Sequence, residues 1–269
     1  MDTLAVGDSS LAYEVRGSGE PLLIIHGAIL CGAFEGIARA LSSSNKLITY
    51  HRLGFGGSSA ARKDGTIADQ AADAVALLDH LGEGAAHVVG HSYGGVVALQ
   101  LAIDHPERAH TLALLEPPLL TVPGAADFAS GVAAVAELYQ SGDAEGALVA
   151  FLTAVGGGDP VPRISETLPL GWHEQALTDL PVLFEADLPS ISAWQFGEAE
   201  ARSINKPALA VLGTESTPLF AESCELLKKW LPNAEPFVLD SAGHLLQIDN
   251  PDGMAKGLLA FLQRHPMPS

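Results

Sequence analysis

The stretch Ala86-His87-Val88-Val89-Gly90-His91-Ser92-Tyr93-Gly94-Gly95-Val96-Val97-Ala98-Leu99-Gln100-Leu101 decides the fold. Ala86 to Val89 is short and apolar, as a buried strand is, and Gly95 to Leu101 reads as a helix, so the five residues between them form a tight G-x-S-x-G turn. In such a turn a serine is thrust above the sheet. Glycines two residues to either side let the two backbones approach, and the helix that follows aims its amino-terminal dipole at an incoming anion. A lone G-x-S-x-G occurs by chance in many chains, and here the strand before it and the helix after it give it meaning.

The same alternation extends in both directions. Thr3–Val6 and Leu11–Val15 read as an opening hairpin, and Pro21–Ile25, Lys46–Tyr50, Thr111–Leu115, Ala208–Leu212 and Pro236–Leu239 repeat the strand signal, giving eight strands with Ala86–Val89. Amphipathic or Ala/Leu-rich segments at Asp69–Leu81, Phe220–Trp230 and Met254–Gln263 fall between or after them. Strands alternating with helices predict an α/β fold with a mainly parallel sheet covered by helices on both faces. The rhythm breaks once, over residues 119–205, where helical runs at Val132–Tyr139 and Ala144–Val155 are separated by glycines and prolines. A structureless loop of that length is improbable. The chain therefore divides into a core (1–118 and 206–269) and a helical cap insert (119–205), which would sit over the carboxyl edge of the sheet, where open α/β sheets bind ligands. Trp172, Phe184 and Trp194 are candidate pocket residues there, and a small core of the insert's own is the plainer role for each of them.

Composition narrows the function. Hydrophobic residues make up 48% of the 269-residue chain, and 14 Lys and Arg against 32 Asp and Glu give a formal charge of −18. That sign repels phosphate backbones and excludes a nucleic-acid binder. No apolar run approaches the ~20 residues that span a bilayer, so no membrane partner is expected. The start Met1-Asp2-Thr3 has neither the basic residues nor the apolar run of a secretory signal, which reads as cytoplasmic. Cys31 and Cys224 are too few for a disulfide framework, and with no clustered Cys and His spacing no metal or organic cofactor is expected.

With these motifs in place the chain resembles the α/β-hydrolase family over nearly its whole length. His26-Gly27-Ala28 after the third strand is similar to the family's oxyanion turn, Arg52-Leu53-Gly54-Phe55-Gly56-Gly57-Ser58 to its loop after the fourth, and Gly243-His244 to its catalytic histidine site. The resemblance implies Ser92 as nucleophile, His244 as base, and the backbone N–H groups of Tyr93 and of Ala28 or Gly27 as oxyanion donors. Chemistry agrees with the base: a serine hydroxyl needs a group of near-neutral pKa to take its proton. His26 and His91 belong to the turns that shape the site, and His51 and Arg52 read as loop braces.

The acid departs from the family's commonest pattern. Most relatives carry an aspartate about three residues beyond the glycine that ends the seventh strand, and here Gly213 is followed by Thr214, Glu215 and Ser216. The sixth strand instead ends Leu115-Glu116-Pro117-Pro118. In this respect the chain is similar to the zearalenone-type lactonases and, with aspartate, to cofactor-free quinolone dioxygenases. Glu116 is assigned as the acid, with Glu215 as the other candidate. The resulting expectation is a serine hydrolase acting on a small, mostly apolar ester or lactone, with amide or carbon–carbon bond cleavage open to the same apparatus. A cofactor-free oxygenase using a His/Glu dyad and a non-catalytic ligand receptor are the other classes. Epoxide hydrolase and dehalogenase chemistry is disfavoured, because those relatives hold aspartate where this chain holds Ser92.

Overall fold

Apolar runs that read as buried strands form the middle of the sheet. The computed structural model describes residues 1–268. Its eight strands are β1 (Asp2–Val6), β2 (Ser9–Arg16), β3 (Glu20–Ile25), β4 (Asn45–Tyr50), β5 (Ala86–His91), β6 (Ala109–Leu115), β7 (Ala208–Gly213) and β8 (Ala234–Leu239). They lie in one sheet in the order β1-β2-β4-β3-β5-β6-β7-β8. The β1–β2 and β2–β4 pairs are antiparallel and every pair from β4 to β8 is parallel. This is the α/β class and strand count that the sequence predicts. Every residue of β5 is buried, whereas β1 and β8, at the two edges, are largely exposed or half-buried. A parallel strand covered on both faces has no polar side, so it reads as a continuous apolar run rather than an alternating one.

The helices are α1 (Glu35–Leu41), α2 (Ile67–His80), α3 (Tyr93–Asp104), α4 (Ala125–Gln140), α5 (Ala144–Gly156), α6 (Pro160–Thr167), α7 (Trp172–Val182), α8 (Leu188–Ala193), α9 (Glu198–Ser203), α10 (Pro218–Trp230), α11 (Leu246–Asp249) and α12 (Pro251–Arg264). Each expected core helix is present with ends moved by a few residues. For α2 the cause is visible: Thr66 and Asp69 form a reciprocal capping box that starts the helix at Ile67. Its buried face is Ile67, Ala71, Ala74, Leu77 and Leu78. The seven-residue α1 is too short to show periodicity in the sequence. No helix among the described residues is long and apolar enough to cross a membrane.

Six of these helices, α4 to α9, lie between β6 and β7. Pro181, inside α7, removes a backbone donor, and the chain then widens into a π turn over Leu183–Asp187 before α8 begins. The turn directs Asp187, which is buried, toward the loop after β4.

Candidate active site

Six strand ends, those of β3 to β8, contribute to one edge of the sheet. β3, β5 and β6 are adjacent, so the residues just beyond them, His26-Gly27-Ala28, Ser92 and Glu116, are neighbours in space although distant in sequence. Ser92 sits at the end of β5 with φ 53° and ψ −123°, a conformation costing an L-residue about 1–3 kcal/mol. Its N–H donates to the Leu115 carbonyl at 2.8 Å, which ties the turn to β6. The glycines around it are required by space. A Cβ at Gly90 would meet the Gly94 carbonyl oxygen at 2.4 Å, and one at Gly94 would meet the Ile25 carbonyl oxygen at 2.1 Å. Tyr93 opens α3, and its N–H has no acceptor among the described residues.

A second open donor lies in the turn after β3. The backbone N–H of Arg52 donates to His26 Nε2 at 2.9 Å, so the His26 proton is on Nδ1, which donates to the Gly27 carbonyl at 2.7 Å. Burial, followed by the Arg52 charge, holds His26 far below its ordinary pKa and fixes it as this neutral tautomer. Arg52 Nη2 donates to the same Gly27 carbonyl at 3.0 Å. In a trans peptide the C=O and the following N–H point in opposite directions, so pinning the Gly27 oxygen also fixes the direction of the Ala28 N–H, which has no acceptor among the described residues. Ala28 lines the cavities at Ser92 and Gly27 does not, which makes Ala28 the better-placed donor of the two. Gly27 instead permits close approach: a Cβ there would stand 3.1 Å from Ser92 Cβ.

Arg52 is itself held by a bidentate pair with Asp187, at 2.9 and 2.8 Å, and its guanidinium lies 4.5 Å from the Phe55 ring centroid and 4.4 Å from that of Tyr93. Tyr93 Oη bonds Ser190 Oγ at 2.6 Å and accepts from Gln70 at 2.7 Å. These partners had no signal in the sequence, because Arg52 and Asp187 are 135 positions apart.

His244 Nδ1 donates to Glu116 Oε2 at 2.7 Å, with both side chains buried. The other carboxylate oxygen accepts from the Gly213 N–H at 2.8 Å and from the Ser216 hydroxyl. Glu116 adopts φ 50°, a left-handed bend just beyond β6. Ser216 occupies the position three residues beyond Gly213, where an aspartate would commonly stand, and it supports the carboxylate of another strand. Glu215 is exposed and its carboxylate makes no hydrogen bond to His244. Burial pushes the Glu116 carboxyl up, against the two donors on Oε1 that favour its charged form. Burial also holds His244 below its ordinary value, which leaves a neutral imidazole.

The imidazole is clamped from two further sides. Phe220 stacks on it with centroids 3.6 Å apart and planes 7° from parallel. His91 Nε2 donates to the His244 carbonyl at 2.8 Å while its Nδ1 accepts from Gln247 at 3.3 Å, so His91 is neutral, and burial holds it at about 3. Ser92 and His244 line one small cavity without a hydrogen bond between their side chains. Such bonds are often long in ligand-free sites and tighten only when substrate enters.

A larger cavity of about 680 Å3 opens on the other side of Ser92. Its walls include Phe128 and Val132 from α4, Phe151 from α5, and Leu183, Leu188 and Ile191 from the π turn and α8. The aromatic residues expected at the pocket are elsewhere. Trp172 bonds Ser165, Phe184 stacks on Tyr139 at 4.5 Å, and Trp194 stacks on Phe196 at 4.7 Å while donating to Gln100. None of Trp172, Phe184 and Trp194 lines the cavity at Ser92. Their rings pack the helices to one another and to α3, as a small core of the insert's own would. Cys31 is half-buried and Cys224 buried, both unpaired, and burial pushes the Cys31 thiol up to about 12, so it holds no reactive thiolate at neutral pH.

Comparison with known proteins adds a family. The family described as the alpha/beta hydrolase fold matches residues 20–251. The chain is 26% identical over 271 aligned positions to the 2-hydroxymuconate semialdehyde hydrolase of Pseudomonas putida, covering 97% of this chain and 93% of that one. A more local match, 34% identical over 113 residues, joins 40% of this chain to RutD of Azorhizobium caulinodans and spans only 42% of that relative's length. Among solved structures, a thermophilic esterase from Thermogutta terrifontis superposes with a TM-score of 0.82 at 22% identity, covering 98% of this chain and 97% of that one.

Proposed function

This chain belongs to the α/β-hydrolase fold family, and from that premise we propose that it cleaves a carboxylic ester or lactone of a small, mostly apolar substrate through an acyl-enzyme on Ser92. The observation that carries the reading is the His244–Glu116 hydrogen bond of 2.7 Å, held beside a serine in a strained strand-to-helix turn. Ser92 Oγ attacks the carbonyl carbon as His244 Nε2 takes its proton, and the Nδ1–H bond to Glu116 stabilises the imidazolium that forms. The carbonyl oxygen becomes an oxyanion between the Ala28 and Tyr93 N–H groups, each worth about 2.7–4 kcal/mol in comparable sites. Collapse of the tetrahedral intermediate breaks the carbon–oxygen bond, and the imidazolium returns its proton to the departing alkoxide. Water, activated by the same imidazole, then releases the acid and regenerates Ser92.

Residues 119–205 act in this reading as a cap: α4, α5 and α8 supply the apolar walls of the cavity over Ser92. The cavity falls within the ~300–1,000 Å3 range of small-molecule sites. The test is covalent labelling by a fluorophosphonate together with turnover of methyl esters in the absence of oxygen. A single adduct on Ser92, lost in Ser92→Ala along with turnover, is the expected result. Turnover that needs oxygen and survives Ser92→Ala would replace hydrolysis by proton abstraction at a His244–Glu116 dyad.

A further inference from the structure

Ser92 stands at the junction of two unequal spaces, and their inequality selects a substrate. The larger, about 680 Å3, and the smaller, about 20 Å3, share Ala28, Ser92 and Phe151 as walls. His244 lines only the smaller, with His91, Leu152, Val155 and Leu245. We propose that the protein acts on open-chain esters that join a long apolar acyl group, seated in the large cavity, to an alcohol of one or two carbons, seated in the small one. This rests on the acyl-transfer reading above and adds to it which end of the ester goes where.

The orientation follows from the proton. The leaving oxygen receives its proton from His244 Nε2, so it has to face the space that His244 lines, and the carbon attached to it extends into that space. A cavity near 20 Å3 accommodates about one water-sized group, given that roughly 10–15 Å3 is needed for one water. A methyl or ethyl group fits, and a longer chain meets Leu152, Val155 and Leu245. Once the alcohol has left, the same space holds one hydrolytic water beside the imidazole. The acyl group is then left to the large cavity, whose polar side chains other than Ser92 and the exposed Thr121 are already engaged. Asp187 is paired with Arg52, Tyr93 Oη with Ser190 and Gln70, and Ser192 Oγ with the Leu188 carbonyl. That lining offers no charge to a ligand and favours an uncharged hydrocarbon chain. In a lactone the alkoxy carbon is tethered to the acyl chain and both must enter one space, which this division disfavours.

Two ester series run on the full-length enzyme test the assignment, with released acid followed at constant pH. Along methyl esters from acetate to decanoate, kcat/KM should rise about fourfold per added methylene until the cavity is filled. Along octanoates from methyl to hexyl alcohol it should fall at least tenfold beyond ethyl. Val155→Ala and Leu152→Ala, made separately, should each raise the hexyl-to-methyl ratio. Rates that climb with alcohol length, that ignore it, or that favour an eight-carbon lactone over methyl octanoate overturn the assignment. Fluorophosphonate labelling of Ser92 separates the two levels of failure. Labelling with turnover but the wrong length preference rejects only the pocket assignment, whereas no labelling and no ester turnover rejects the acyl-enzyme itself.

Discussion

Replacing Glu116 by glutamine exchanges one carboxylate oxygen for an NH2 group and leaves the volume unchanged, so its effect can be worked out bond by bond. Glu116 Oε1 accepts from Gly213 N–H and Ser216 Oγ, and Oε2 accepts from His244 Nδ1. The introduced amide keeps its oxygen toward Gly213 and Ser216, because the opposite orientation would set NH2 against a backbone N–H. The NH2 then faces His244 Nδ1. Two donors cannot share that bond, so the imidazole shifts its proton to Nε2, and the nitrogen facing Ser92 can no longer take a proton. The wrong tautomer, together with loss of the charge that steadies the imidazolium, lowers kcat by roughly 10^4 in comparable triads, about 5 kcal/mol of barrier. Folding should change little, since each of the three bonds is retained in some form.

Glu116→Ala behaves differently. It leaves the Gly213 N–H and the His244 ring N–H buried without acceptors, at about 1–3 kcal/mol each, and should lower Tm as well as activity. The assay for Glu116→Gln is kcat/KM with a methyl ester, a thermal melt, and 15N NMR of the His244 ring to read the tautomer directly. A variant that keeps more than a tenth of its activity, or one that keeps the Nδ1–H tautomer while losing activity, would refute the reasoning. So would a larger loss in Glu215→Gln, whose carboxylate is exposed.

Ser92→Ala should abolish hydrolysis and fluorophosphonate labelling with an unchanged fold, measured by circular dichroism and mass spectrometry. Phe220→Leu removes the aromatic face stacked on His244. A desolvated cation over a ring is worth up to about 2 kcal/mol. The imidazolium is therefore less favoured in the variant, so the acid limb of kcat/KM should move to lower pH and kcat fall severalfold. Asp187→Asn leaves the buried Arg52 charge uncompensated, a loss of about 3–5 kcal/mol, which a thermal melt should register as roughly 10 °C. In the same variant kcat should fall more than KM rises, because the loosened Gly27 carbonyl lets the Ala28 N–H turn away from the oxyanion.

The strands, the serine turn and the position of His244 were legible because each is written locally: a buried parallel strand is a short apolar run, and the turn is a five-residue pattern with a strand before it. The carboxylate that meets His244 had two candidates, since Glu116 and Glu215 both follow strand ends. What separates them is the left-handed bend at Glu116 and the direction in which its carboxylate then points, and neither is visible in residue identity. The walls of the cavity were not legible at all. Phe128 and Phe151 face Ser92 while Trp172, Phe184 and Trp194 pack helices together, and helical periodicity gives both groups the same apolar stripe. The choice between them depends on how α4 and α5 lie over the sheet.

The buried Arg52–Asp187 pair is hard to explain by stability alone. Removing two charges from water costs more than their attraction commonly returns, and well-packed apolar residues of the same size serve a core at least as well. Its geometry gives a better account. Arg52 donates to the Gly27 carbonyl while Asp187 holds both ends of its guanidinium, so a residue of the helical segment after β6 fixes the peptide that presents the Ala28 N–H. Asp187 also stands in the wall of the large cavity, next to Leu188 and one π turn from Leu183. The large cavity and the Gly27–Ala28 peptide therefore share one support, the turn that carries Asp187. An apolar pair in place of Arg52 and Asp187 would keep the packing and lose that connection, with the Gly27 carbonyl left to His26 alone.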